Sequence, residues 1–421
     1  MMDNTKMHKS LGIDLKAHDT LIRALPELFK ECFLNKEQDL KSLSYFYSVV
    51  ADIHGTRVKE LIEHKNKGPV IGSFCIYVPE EIILAIGGQL VGLCAGADFW
   101  VPYGEQIVPK NLCPLIKAGI GAKFSKTCPY FQVIDLLIGE NTCDGKKKAW
   151  EILSDMVEMY IMDMPNKKSN SGLKLWQEEV KSLCNFLEKK FSKPISFDSL
   201  LKAVQKVNAK RSALNRLYET RKNSPTPISG IDTLLVTQIG FYDDTERYTK
   251  MVETLAKECE EKALSNSKSN DKKRILVTGS PMVVPNWKVH HVIETSGADV
   301  VVEENCTGTR YFKDNVSIEN SLAKEDLLKN ISDRYIRNIN CACFSPNTDR
   351  EEEILKICKD YKVDGIVYAS LSFCTTYMIE AEKIRKVAKK NNIPMITVES
   401  DYSFSDLGQL RTRIEAFIEN L

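Results

Sequence analysis

Apolar and polar positions change their period several times along the chain, and the changes divide it. Near the start, Leu21-Ile22, Leu25, Leu28-Phe29 and Cys32 recur at helical spacing, and Val58 to His64 continues that character. Helices are therefore expected through residues 1–66, with Gly68-Pro69 ending them. Beyond that point the pattern turns to continuous apolar runs. Val70 to Val78 leads into a helix from about Glu80 to Leu90, and Leu90 to Val101 reads as a second strand. Apolar runs alternating with helices are the signature of a parallel sheet covered on both faces. A helix from Lys146 to Met164 is expected after Cys143, ended by Pro165. A long helical section follows the polar stretch Asn166 to Gly172 and continues to about Arg221, where Ser224 to Gly230 breaks it. One more helix, about Asp244 to Leu264, leads to a low-complexity linker from Ser265 to Lys273.

The alternation then starts again. Strands are expected at Arg274 to Thr278, Asp299 to Glu303, Gly365 to Ala369 and Met395 to Glu399. Between them lie helices at Lys288 to Thr295, Arg350 to Tyr361 and Tyr377 to Asn391. The expected fold class is α/β, with two Rossmann-like open parallel-sheet domains and an N-terminal helical segment. The expected divisions are 1–66 for the helical segment, 67–230 for the first α/β domain with a helical extension, and 231–421 for the second α/β domain. Such a length is ample for more than one hydrophobic core.

Charge narrows the partners. With 58 basic and 57 acidic residues the formal net charge is +1, which leaves no electrostatic footprint for nucleic acid or an anionic membrane. The longest apolar run, Ile82 to Pro102, is interrupted by Gln89 and Asp98 and is not expected to span a bilayer. Met1 to Lys16 is polar and charged and carries no signal-peptide pattern, so a cytoplasmic location is expected. Thirteen cysteines in that setting point to metal or redox chemistry, or to buried thiols, rather than disulfides.

Two cysteine triads stand out. Cys75, Cys113 and Cys143 lie in the first half, and Cys306, Cys341 and Cys374 in the second; 143 − 75 and 374 − 306 both equal 68. Each triad opens on a strand-like apolar run and closes just before a helical one. Ligands of doubly wound sheets collect beyond the carboxyl ends of the strands, where helix N-termini favour anionic sulfur. Three thiolates leave one iron of a four-iron cubane without a protein ligand, and two facing triads are suited to a joined pair of cubanes.

Longer motifs make the picture more specific. Ser73-Phe74-Cys75-Ile76-Tyr77-Val78-Pro79-Glu80-Glu81, Asn141-Thr142-Cys143-Asp144-Gly145 and Glu303-Glu304-Asn305-Cys306-Thr307-Gly308-Thr309-Arg310 occur with Cys341-Ala342-Cys343-Phe344-Ser345-Pro346-Asn347 and Phe373-Cys374. From about residue 67 onward the chain resembles the iron–sulfur family of 2-hydroxyacyl-CoA dehydratase subunits, benzoyl-CoA reductase subunits and double-cubane cluster proteins. The resemblance implies a cluster between two Rossmann-like domains. It also implies electron delivery by a dimeric ATP-hydrolysing activator that carries its own [4Fe-4S] cluster. Triads in both halves favour the double-cubane branch, with Cys75, Cys113, Cys143, Cys306, Cys341 and Cys374 as ligands of an [8Fe-9S] group. Cys343 competes with Cys341 for its place. The implied activity is reduction of a small-molecule substrate by a homodimer. The alternative is a 2-hydroxyacyl-CoA dehydratase subunit with a single [4Fe-4S] cluster, and an electron-storage protein is a third reading.

Other residues carry weaker signals. Gly139 to Lys147 departs from the Walker pattern, and no Gly-x-Gly-x-x-Gly fingerprint occurs, so nucleotide chemistry is expected on a partner. His290 and His291 are candidate proton donors near the second triad. Arg310, beside Cys306, is a candidate for balancing cluster charge. Glu303 and Glu304 are candidate proton relays or solvated strand ends, and Lys146-Lys147-Lys148 reads as an exposed helix face. Cys32, Cys94, Cys128, Cys184, Cys259 and Cys358 read as structural.

Overall fold

The computed structural model describes residues 4–34, 39–265 and 271–421. Its frame is two four-stranded sheets in which every described pairing is parallel. The first contains β1 (Val70–Ser73), β2 (Gln89–Gly92), β3 (Leu136–Glu140) and β4 (Met159–Met162) in the order β2-β1-β3-β4. The second contains β5 (Arg274–Gly279), β6 (Asp299–Glu304), β7 (Gly365–Leu371) and β8 (Met395–Ser400) in the order β6-β5-β7-β8. The two orders are the same, and in each sheet the strand order reverses at one place, between β1 and β3 and between β5 and β7. Such switch points open a crevice at the carboxyl ends of the strands. β1, β3 and β7 are buried along their whole length, as expected of strands covered by helices on both faces.

The expected second-half strands and the helix Lys288–Thr295 fall where the pattern puts them, within a residue or two. Helices Thr5–Ser10, Leu15–Phe29, Leu43–Ala51 and Thr56–His64 occupy the described N-terminal segment. Residues 266–270 of the expected linker lie outside the described residues.

Three expectations of the first half need correction. The helix after β1 covers only Glu80–Ala85, because Gly87 adopts φ +74° and turns the chain. The strand expected over Leu90 to Val101 stops at Gly92, whose N–H leaves the sheet to bond the Phe241 carbonyl at 2.8 Å; Gly96 likewise bonds Val284 at 3.0 Å. The helix expected to reach Met164 spans Asp144–Ser154 instead. The chain then turns, and Met159–Met162 pairs with β3 as an edge strand. In the middle of the chain the long helical section is two helices, Asn170–Phe191 and Phe197–Thr220.

Helix Phe197–Thr220 ties the two sheets together. Near its middle Lys210 reaches Glu80 at 2.7 Å and Arg211 reaches Glu81 at 2.8 Å, both in the helix that follows β1. Just past its end Arg221 bonds both oxygens of Glu303 on β6, at 2.7 and 3.1 Å. All six side chains are buried. Removing one partner of such a pair leaves an uncompensated buried charge, which costs about 3–5 kcal/mol.

The N-terminal helices dock through histidines. His8 Nε2 meets the His54 carbonyl at 2.8 Å, and His18 Nε2 meets His54 Nδ1 at 3.0 Å. Burial, with His8 nearby, lowers His18 from 6.5 to about 4, and burial holds His54 well below its ordinary value. The folded protein therefore binds fewer protons here than the unfolded chain, and the stability from neutral histidines is present above pH 6.5 and lost as pH falls toward 4. The protection factors of the amides in helix Leu15–Phe29, corrected for the intrinsic pH dependence of exchange, should fall over that window, and His18→Gln should weaken the dependence; protection factors independent of pH would contradict this docking.

Candidate functional site

The cysteines of both triads are placed by strand ends and helix starts. Cys75 lies two residues beyond β1, Cys306 two beyond β6, Cys143 three beyond β3 and Cys374 three beyond β7. Cys113, Cys143 and Cys374 are the N-cap residues of helices Pro114–Phe124, Asp144–Ser154 and Thr375–Lys390. Cys341 sits in the loop after helix Lys324–Arg337. These six side chains, together with Cys94 and Cys343, line one cavity of about 450 Å³ between the two sheets.

Thiols from opposite halves lie close enough to act on each other's ionisation, Cys75 with Cys306 and Cys113 with Cys374, while Cys341 does so with Cys343 in its own loop. The neighbouring Cys75, with Arg310 beyond it, lowers the Cys306 thiol. The neighbouring Cys113 brings Cys374 down to about 7. Cys341 lies well below the ordinary thiol value, first through Cys343 and then, against its burial, through Arg310. Its backbone is held as well, since Asn347 Nδ2 donates to the Cys341 carbonyl at 2.8 Å.

Arg310 is buried and locked. Its Nε and Nη2 each bond the Glu304 carboxylate at 2.9 Å, and Nη1 donates to Tyr377 Oη at 2.6 Å and reaches Cys306 Sγ at 3.8 Å. Tyr377 Oη lies 3.5 Å from Cys341 Sγ. Glu304 also takes Arg350 at 2.6 Å and Thr278 at 2.7 Å. Neither it nor Glu303 is a solvated strand end. Both are fully buried within arginine networks.

Lys146, expected on an exposed face, instead lines the cavity, with its side chain only 11% exposed and its ammonium on the buried Glu140 carboxylate. Burial opposes its charge, but Cys75, Glu140, Cys143 and Cys94 together keep it protonated. Its backbone N–H approaches Cys143 Sγ at 3.5 Å. Lys147 and Lys148 are exposed, as expected. A signal for Lys146 was available in its place three residues after a helix-capping Cys, where a side chain turns back over the cap.

Cys94 is a further correction. It is not sunk in a strand core but forms part of the cavity wall, donating from Sγ to the Phe74 carbonyl at 2.7 Å. Burial pushes its thiol up to about 12. The two histidines are not at the cavity. His290 turns inward and meets Glu303 at 3.1 Å, and His291 lies 3.6 Å from Glu31 of the N-terminal segment.

A family profile described as the D-component of 2-hydroxyglutaryl-CoA dehydratase matches residues 75–421. A protein of Escherichia coli (strain K12), named provisionally as dehydratase subunit YjiM, is 36% identical over 366 residues, covering 86% of this chain and 94% of the relative. The (R)-phenyllactyl-CoA dehydratase beta subunit of Clostridium sporogenes is 22% identical, covering 89% and 98%. A benzoyl-CoA reductase subunit of Thauera aromatica is 21% identical, covering 88% and 95%.

The contacts across the cavity can be checked chemically. Mild oxidation of metal-free protein should link Cys75 to Cys306 and Cys113 to Cys374, read by mass spectrometry of the peptides. A link between Cys75 and Cys113, within one half, would contradict the arrangement.

Proposed function

Since the chain belongs to the family of the 2-hydroxyglutaryl-CoA dehydratase D-component, we propose that its thiol-lined cavity seats an iron–sulfur cluster and that the protein is a low-potential reductase. One observation carries the reading: four cysteines from each half, with the three of each expected triad among them, line the same cavity. Cys75, Cys113, Cys143, Cys306, Cys341 and Cys374 would hold the group, as a double-cubane [8Fe-9S] cluster. Cys341 is preferred to Cys343 because its Sγ lies 3.5 Å from the Tyr377 hydroxyl that Arg310 also bonds, and its carbonyl is held by Asn347.

The residues present fit such a group. Among the described residues, no three His, Cys, Asp or Glu side chains converge where a single ion could sit, and the sulfurs are instead spread around the wall. Soft thiolates are the donors that iron–sulfur clusters take, and helix N-termini stabilise the negative charge. When bound, the cluster supplies single electrons at low potential. Arg310 and Lys146 hold positive charge beside the sulfurs, one from each half, and most of the wall around them is apolar. Those features suit electrons delivered by a dimeric ATP-hydrolysing [4Fe-4S] activator to a homodimer, in a compartment that keeps thiols reduced. Among the described residues, no helix is long and apolar enough to cross a membrane.

A second reading is a dehydratase subunit with one [4Fe-4S] cluster and an unlike partner subunit. The names of the relatives from E. coli and C. sporogenes favour it, whereas that of the T. aromatica relative favours reduction.

Iron and acid-labile sulfide on anaerobically purified protein separate the readings. About eight irons per chain are expected for two cubanes, and about four would move the dehydratase reading forward. Essentially none after anaerobic reconstitution would sink both. Cys306→Ser, Cys341→Ser and Cys374→Ser should each lower the iron content; unchanged iron in all three would restrict the cluster to the first triad.

A further inference from the structure

Hydrogen bonds reach the sulfurs differently from the two halves. On the first side the backbone N–H of Lys146 approaches Cys143 Sγ at 3.5 Å. On the second side the donors are side chains. Arg310 Nη1 reaches Cys306 Sγ at 3.8 Å, and Tyr377 Oη lies 3.5 Å from Cys341 Sγ. The difference matters because hydrogen bonds to sulfur are among the features that set the reduction potential of an iron–sulfur group.

The direction of the Tyr377 contact follows from its other partner. A guanidinium has donors and no acceptor, so Arg310 Nη1, 2.6 Å away, donates to Tyr377 Oη. The phenol hydrogen must then leave on another line. Among the described residues, the other partner of Oη is the Cys341 sulfur. A thiolate that binds iron carries no hydrogen of its own, which leaves the hydroxyl as the donor.

Little freedom is left to this phenol. Tyr377 is buried, and the guanidinium carbons of Arg310 and Arg350 each stand 5.9 Å from its ring centre. Arg310 is itself tied through Nε and Nη2 to the Glu304 carboxylate, so the donor that meets the phenol oxygen is fixed in place. A hydroxyl that accepts from a cation is polarised and donates more strongly in turn.

We propose that Tyr377 is a positioning residue of the metal centre: presented by Arg310, its hydroxyl donates to the Cys341 sulfur and raises the potential at which the centre takes an electron. The reduced group is thereby stabilised from the side of the second triad. This role rests on the cluster reading of the cavity.

A redox titration of anaerobically reconstituted full-length protein, followed by electron paramagnetic resonance and with iron measured on every sample, tests it. Tyr377→Phe should keep its iron and lower the midpoint potential, because reduction adds negative charge that the lost donor no longer stabilises. The expected change is about tenfold in the reduction equilibrium, which is about 59 mV for one electron. Replacing Tyr377 by a singly ring-fluorinated tyrosine, a stronger donor of nearly the same shape, should raise the potential, and this protein decides the matter if the Phe variant loses its iron. Tyr368→Phe removes a buried hydroxyl that holds the same helix without touching a sulfur, and it should leave the potential unchanged. An unshifted potential in Tyr377→Phe with iron retained, equal shifts in Tyr377→Phe and Tyr368→Phe, or no rise on fluorination would overturn the role. Iron bound at an unshifted potential defeats the tyrosine's role alone, whereas wild-type protein that takes up no iron defeats the cluster reading and this role with it.

Discussion

Two separate sheets can build one cavity only if their relative position is fixed, and buried ion pairs on a single connecting stretch fix it here. Lys210 and Arg211 grip Glu80 and Glu81 beside the first sheet, and Arg221 grips Glu303 within the second. Buried ions cost several kcal/mol each to desolvate, and attraction offsets that cost only in good geometry. Such pairs add little net stability. They do penalise any displacement of one sheet against the other, and that penalty serves a cavity whose thiols come from both. The network continues toward the sulfur, because Glu304, next to Glu303, fixes Arg310, and Arg310 reaches Tyr377 and Cys306.

The equal spans of the two triads do not reflect an internal repeat of the site. Cys143 and Cys374 are equivalent, each three residues past the third strand of its sheet. Cys75 follows the first strand of its sheet, whereas Cys306 follows the second. The residue that matches Cys306 in the first half is Cys94, whose thiol is engaged with Phe74, and the residue that matches Cys75 in the second half is Pro281. The halves share a fold but present their sulfurs from different strand ends. Cys75 and Cys306 thereby meet across the cavity.

Much of this was legible in the chain. Short continuous apolar runs, such as Val300 to Val302 and Ile366 to Ala369, mark buried parallel strands because both faces are covered. Short edge strands were harder: Met159–Met162 continues the apolar pattern of the helix before it, and only its pairing with β3 makes it a strand. Burial of charge was harder still. Glu303, Glu304 and Lys146 look like solvated residues until partners distant in sequence or folded back in space are known, as with Arg221 at a separation of 82 residues from Glu303. The thiols' positions at strand ends and helix starts could be read locally. Which of them face one another depends on the docking of the sheets and could not.

One local device nevertheless recurs on both sides of the cavity. Glu140 is the last residue of β3, Cys143 follows it, and Lys146 turns back onto Glu140 from the first turn of the next helix. Glu304 is the last residue of β6, Cys306 follows it, and Arg310 turns back onto Glu304 from helix Thr309–Phe312. In each case the cation stands six residues after the carboxylate; Arg310 Nη1 reaches the intervening thiol of Cys306, and on Lys146 the backbone N–H approaches Cys143 while the ammonium bonds Glu140. The carboxylate keeps the cation in place and compensates its charge while the cavity is neutral. When negative charge is gathered on the sulfurs, a cation already oriented and already desolvated lies beside it, so little reorganisation is needed. Preorganised charge of this kind favours an anionic group in the cavity over the free thiols, and the pairing of a strand-end Glu with a helix-borne cation shows how each half contributes to that bias independently of which strand carries its cysteine.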